Sequence, residues 1–138
     1  MAHVRPYAEL VGDLSAGTVA SYNFITPDLC HDMHDGCASG DSTKNGDDWL
    51  AAELPKIMAS EEYVTGGAIF VVWDEGGGSE DPIGMIVLSP FAKKGYAGTL
   101  EYSHSSTLRT VQDVFAVKPY LRDAPNVTAL GDLFVSYP

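Results

Sequence analysis

Two unbroken apolar runs constrain this chain most: residues 68–73 (AIFVVW) and 83–88 (IGMIVL). Neither alternates apolar with polar positions, the pattern of a strand covered on both faces. Gly66-Gly67 opens the first run and Asp74-Glu75-Gly76-Gly77-Gly78 closes it, while Ser89-Pro90 closes the second. Residues 19–26 (VASYNFIT) read as a further strand, rich in β-branched and aromatic side chains and stopped by Pro27.

Helical spacing falls between these runs. Tyr7, Leu10, Val11 and Leu14 are in phase over residues 6–14. A longer helix is predicted to open at Asp47-Asp48, with Trp49, Leu50, Leu54, Ile57 and Met58 on one face. Pro55 lies inside that pattern and should kink or divide it. Ser105 or Ser106 reads as the N-cap of a third helix, with Leu108, Val111, Val114 and Phe115 as its apolar stripe. A short apolar element is expected over residues 130–135. Doubly apolar strands interleaved with amphipathic helices give an α/β chain, a layered α/β/α sandwich. With 138 residues and neither repeat nor linker, residues 1–138 read as one domain.

Eight Lys and Arg against 19 Asp and Glu leave a net charge of -11. Such a chain repels phosphate backbones, which makes nucleic acid and anionic membrane surfaces poor partners to expect. No apolar run approaches the ~18–20 residues of a membrane span, so no transmembrane segment is expected. The N-terminus also lacks the apolar region of a signal peptide, so an exported protein would carry its leader outside this chain.

In layered sheets ligands gather at the carboxyl ends of strands, which singles out the residues just after Thr26, Trp73 and Leu88. Three polar clusters stand out: His31-Asp32-Met33-His34-Asp35, Asp74-Glu75, and His104 on the turn before a helix. Adjacent carboxylates ending a buried strand repel each other, and a cation, a shared proton or a hydrogen-bond shell must relieve them. The three glycines after them let a backbone approach a ligand closely. Carboxylate oxygens with imidazole nitrogens suit a divalent metal such as Zn, Mn, Mg or Ca. Against this stand plainer readings. Asp74 can cap a turn, His31 can face solvent, and His34 and His104 can be structural. Asp47, Asp48, Glu53, Glu61 and Glu62 fit a solvated helical face. Cys30 and Cys37 enclose six residues, a spacing compatible with a short-loop disulfide, with two free thiols or with thiolate ligation.

Four strings in order, SYNFITPDLCHDMHDGC, GDDWLAAELPKI, AIFVVWDEGGG and YSHSSTLRTVQDVF, resemble the phosphoesterase family of acid phosphatases and phospholipases C, within the alkaline phosphatase superfamily. The resemblance runs from about Tyr7 to Phe134. It implies that Asp74 and Glu75 bind a catalytic metal, with Asp32 contributing. It implies that His34, Asp35 and His104 face the phosphate, His34 and His104 as proton-transfer groups. The family's N-terminal Asn/Glu metal motif and its Ser or Thr nucleophile have no match here, so the chain reads as the family's C-terminal half, a fragment or short form. His31 stands where Asn is frequent in the family.

The expected function is metal-dependent hydrolysis of phosphoric esters with water as the attacking group. Ser103, Ser105, Ser106 and Thr107 lie near His104 as substitute nucleophiles, without support from the family pattern. Two other readings compete: a non-catalytic metal- or phosphate-binding remnant, and a half-domain stabilised only by association. A Cys30–Cys37 bridge and the family's habit place the protein in a secreted or periplasmic setting. Apolar strands with few helices to cover them predict a homodimer.

Overall fold

The computed structural model describes residues 3–37, 40–78 and 81–136. The chain divides into two compact units, Met1–Gly67 and Ala68–Pro138.

The first unit is helical. A 3-10 turn at Tyr7–Glu9 runs into α1, Leu10–Ala16, which Gly17 ends at φ 64°. That left-handed position favours a residue without Cβ. Helix α2, Ser42–Met58, begins a full turn earlier than its acidic pair suggested. Asp41 is the reason: its carboxylate accepts the Lys44 N–H at 3.0 Å and satisfies one orphan donor. Lys44 Nζ then reaches Asp48 one turn on, at 2.7 Å. Pro55 does not divide the helix, which continues past it to Met58, with Ala59 N bonding the Pro55 carbonyl at 3.0 Å. Ser60 caps the one-turn α3, Glu61–Val64, by accepting from Tyr63 N at 3.3 Å.

The strand expected at residues 19–26 does not form. This stretch has no ladder among the described residues, and Tyr22 and Phe24 are exposed, Phe24 at 80%. β-branched and aromatic residues favour a pleated surface only where a neighbouring strand supplies one. Among its described residues the first unit holds no such strand.

The second unit carries the sheet. Strand β1, Ile69–Val72, pairs antiparallel with β2, Met85–Leu88, in the register Ile69↔Leu88 to Val72↔Met85. Helix and sheet are therefore mixed, as an α/β chain requires. In place of a layered sheet, however, the described residues give two antiparallel strands. The connection explains this. A parallel return needs a crossover, usually a helix, and among the described residues no helix lies between β1 and β2. Nor are the strands buried on both faces: Val72 is 36% exposed and Ile86 50%. Their ends after Val72 and after Leu88 point in opposite directions, so they do not share one carboxyl edge.

Helix α4, His104–Val114, buries Ser106, Thr110 and Gln112, while Val114 and Phe115 of the expected stripe are exposed. The buried polar groups hold the tail. Thr110 Oγ1 accepts from Leu130 N at 2.9 Å, and Gln112 Oε1 accepts from Leu121 N at 3.0 Å. Two 3-10 turns come next, Ala124–Asn126 and Leu130–Leu133, and Ala124, Leu130 and Phe134 form the small apolar core. Phe134 sits edge-on to Phe70 of β1 with centroids 6.4 Å apart. Among the described residues no helix is long and apolar enough to cross a membrane.

Candidate active site

In the first unit the polar loop is built around Asp28. Its carboxylate accepts from Cys30 N at 2.9 Å and pairs with His31 Nδ1 at 2.7 Å. The Cys30 N–H, with His31 adding to it, holds the Asp28 carboxyl below the usual carboxylate range. Cys30 and Cys37 are joined by a disulfide, their Cα atoms 5.3 Å apart. Asp32 Oδ1 accepts from His34 N at 2.9 Å, closing a tight turn through Met33 at φ 69°. His34 Nδ1 meets Asp35 Oδ1 at 3.0 Å, and both side chains are exposed.

This loop is seated on α2. The His31 ring stacks near Trp49, centroids 6.3 Å apart and planes 29° apart. Met33 lies over Gly46, the buried glycine of α2, so closely that a Cβ there would stand 2.4 Å from Met33 Cγ. Trp49 in turn packs against Tyr7 at 5.3 Å, and Tyr7 donates to Glu53 at 2.9 Å.

In the second unit the chain leaves β1 through Trp73. Its N–H donates to Gly84 O at 3.1 Å and extends the ladder by one step. Its ring covers Gly84, where a Cβ would fall 2.7 Å from Trp73 Cε3. Asp74 and Glu75 come next, both exposed. The Asp74 carboxylate accepts from Glu75 N at 3.0 Å. Gly76 then passes so near Asp81 that a Cβ would lie 2.5 Å from its carbonyl oxygen. Glu75, Asp81 and the three glycines line an open depression.

His104, the first residue of α4, donates from Nε2 to the Asp74 carbonyl oxygen at 2.8 Å. A carbonyl only accepts, so Nε2 carries the hydrogen and Nδ1 is the basic nitrogen of the neutral ring. The N-cap is Ser103, two or three residues before the predicted caps, and its N–H donates to Ser106 Oγ at 3.2 Å. Ser106 is buried in that role and so is not a nucleophile candidate. Tyr102 holds the entry: its hydroxyl and that of Tyr96, at 3.0 Å, both bond Asp132. Burial, then the Asp132 bond, raises the Tyr102 phenol above its usual range. Sequence reading missed this anchor, for Asp132 lies thirty residues away and follows no local pattern.

The structure thus joins His104 to Asp74, and joins Asp32, His34 and Asp35 in one turn. Within each unit, no three His, Cys, Asp or Glu side chains among the described residues gather in one place.

A model of the phosphoesterase family matches residues 1–118. The chain belongs to the phosphoesterase family. The span matched to the phosphoesterase model takes in the 30–37 loop, α2, the Asp74-Glu75 exit and His104. Phosphoesterase membership points to hydrolysis of phosphoric esters. No curated protein and no solved structure gives a match to the chain.

Proposed function

We propose that this chain hydrolyses phosphoric esters, with phosphomonoesters as substrates in the manner of an acid phosphatase. The observation that carries the reading is His104, oriented by the Asp74 carbonyl at 2.8 Å in a chain matched by the phosphoesterase model. With Nε2 engaged, His104 presents Nδ1 for proton transfer. His34 supplies a second imidazole, its Nδ1 turned to the Asp35 carboxylate. Water attacks phosphorus in line with the ester oxygen, and the phosphorus–oxygen bond to the alcohol breaks. An imidazole takes the proton of the attacking water, and an imidazolium gives one to the departing alkoxide. Imidazole suits both tasks near neutral pH.

Asp74 and Glu75 of the second unit, and by the family resemblance Asp32 of the first, are hard oxygen donors, and the divalent ion of this proposal rests on that chemistry alone. When bound it would neutralise phosphate oxygens. The family resemblance assigns phosphate contacts to His34 and Asp35 of the first unit and to His104 of the second. The test is a chromogenic phosphomonoester assay with and without chelator. Turnover that chelator abolishes and Asp74→Ala removes supports the reading. Metal or phosphate binding without turnover would make the chain a non-catalytic remnant instead.

The wider setting belongs to the same proposal. Residues 1–138 serve one phosphoesterase-like domain, and the Cys30–Cys37 bridge suits a secreted or periplasmic protein. Both edges of the two-stranded sheet are unpaired among the described residues, and Ile86 is half exposed, which favours a homodimer that extends the sheet toward the family's layered sandwich. Light scattering that returns a 14.8 kDa monomer would overturn the dimer.

A further inference from the structure

We infer that Gly46 and Met33 form a lock that positions His34, an inference that rests on the hydrolase reading for its catalytic consequence but not for its geometry. Three observations converge on it. Met33 adopts φ 69°, a left-handed conformation unfavourable for an unbranched side chain with a Cβ, so the surrounding structure must hold it there. Gly46 is buried inside α2, where glycine weakens a helix by its backbone freedom and therefore needs a packing reason.

That reason is the third observation. A Cβ at Gly46 would stand 2.4 Å from Met33 Cγ, 2.7 Å from Met33 Cε and 3.1 Å from the His31 carbonyl oxygen. The absent side chain is the notch that receives Met33. One turn along α2, Trp49 carries the His31 ring. Residues three apart on a helix share a face, so Gly46 and Trp49 make a single seat for the loop.

The consequence passes to His34 through the backbone. Met33 is the central residue of the turn that Asp32 closes onto His34 N at 2.9 Å. With Met33 in the notch, the direction in which the chain delivers His34 is set. If Met33 is displaced, the turn loses its seat on Gly46, and the disulfide and the His31–Trp49 stack remain as ties at the start of the loop. Gly46 and Met33 are thus positioning residues, acting on phosphate through His34 without touching it.

The experiment compares the full chain with Gly46→Ala, Met33→Ala and the double variant, each labelled for histidine-ring NMR and assayed with a chromogenic phosphomonoester. In Gly46→Ala the His34 and His31 ring signals shift while those of His104 stay, and kcat falls by about 10²-fold with KM little changed, the scale of an ångström-size misplacement. In the double variant the clash with Met33 is gone but the notch has lost its occupant, so kcat and the His34 signals stay near those of Met33→Ala alone, the non-additivity of two residues that act as one contact. A folded Gly46→Ala protein with parental His34 signals would overturn the lock. If Gly46→Ala does not fold, Met33→Ala alone decides: unchanged His34 signals reject the lock and displaced ones support it. A parent chain without turnover removes the hydrolase reading, while the NMR arms still judge the lock.

Discussion

His104 Nε2 donates to the backbone carbonyl of Asp74 across 2.8 Å, joining the first residue of α4 to the exit of β1. The bond is made by a main-chain oxygen, which accepts at any pH. The tautomer of His104 is therefore set without using the Asp74 carboxylate, whose Oδ1 accepts from Glu75 N.

Replacing His104 by Ala should lower turnover of a phosphomonoester by about 10²–10⁴-fold, the range for a lost general acid or base. His104→Gln, which keeps a donor for the Asp74 carbonyl but cannot carry a proton, should be as inactive while better preserving the loop. The pair is read by kcat and by thermal unfolding. A Gln variant with parental kcat would exclude proton transfer at this position.

Reduction of the Cys30–Cys37 bridge should loosen the 30–37 loop. Closing so short a loop restricts the unfolded chain by an amount equivalent to about 2 kcal/mol. Cys30→Ser with Cys37→Ser should thus lower the thermal midpoint and shift the His34 ring signals. Two alkylatable thiols in native, unreduced protein would show that the bridge is absent in solution.

Tyr102 makes the alkaline limit of stability testable. Its phenol is raised by burial and by Asp132, so the folded state disfavours the phenolate that the unfolded chain forms freely above about pH 10. The stabilisation is complete below that value and is lost as pH rises toward the folded-state value. Tyr102→Phe should therefore lose less stability than the parent between about pH 9 and pH 11, measured as urea midpoints. Parallel pH profiles for the two proteins would contradict the assignment.

Much of the local structure was legible in the residues. The disulfide was one of three readings that the short Cys30–Cys37 spacing left open. The helix near residues 6–14 follows from its periodicity, and α2 from its apolar face, though Asp41 moved its start. The two apolar runs do become β1 and β2, and the acidic pair does stand at the end of β1. Membership of the phosphoesterase family was likewise visible in four ordered strings.

What only the tertiary structure decided depends on partners far along the chain. Apolarity marked residues 68–73 and 83–88 as strands, but their antiparallel pairing and half-exposed faces depend on the connection and on what covers them. Residues 19–26 have strand-forming side chains and no strand to pair with, so propensity had nothing to act on. The face of α4 that is buried is polar, because Thr110 and Gln112 satisfy backbone groups of a tail that periodicity cannot see. The seat of Met33 on Gly46 and the grip of Asp132 on Tyr102 are of the same kind. Sequence carries each residue's own preference; which distant group it meets is a property of the folded chain.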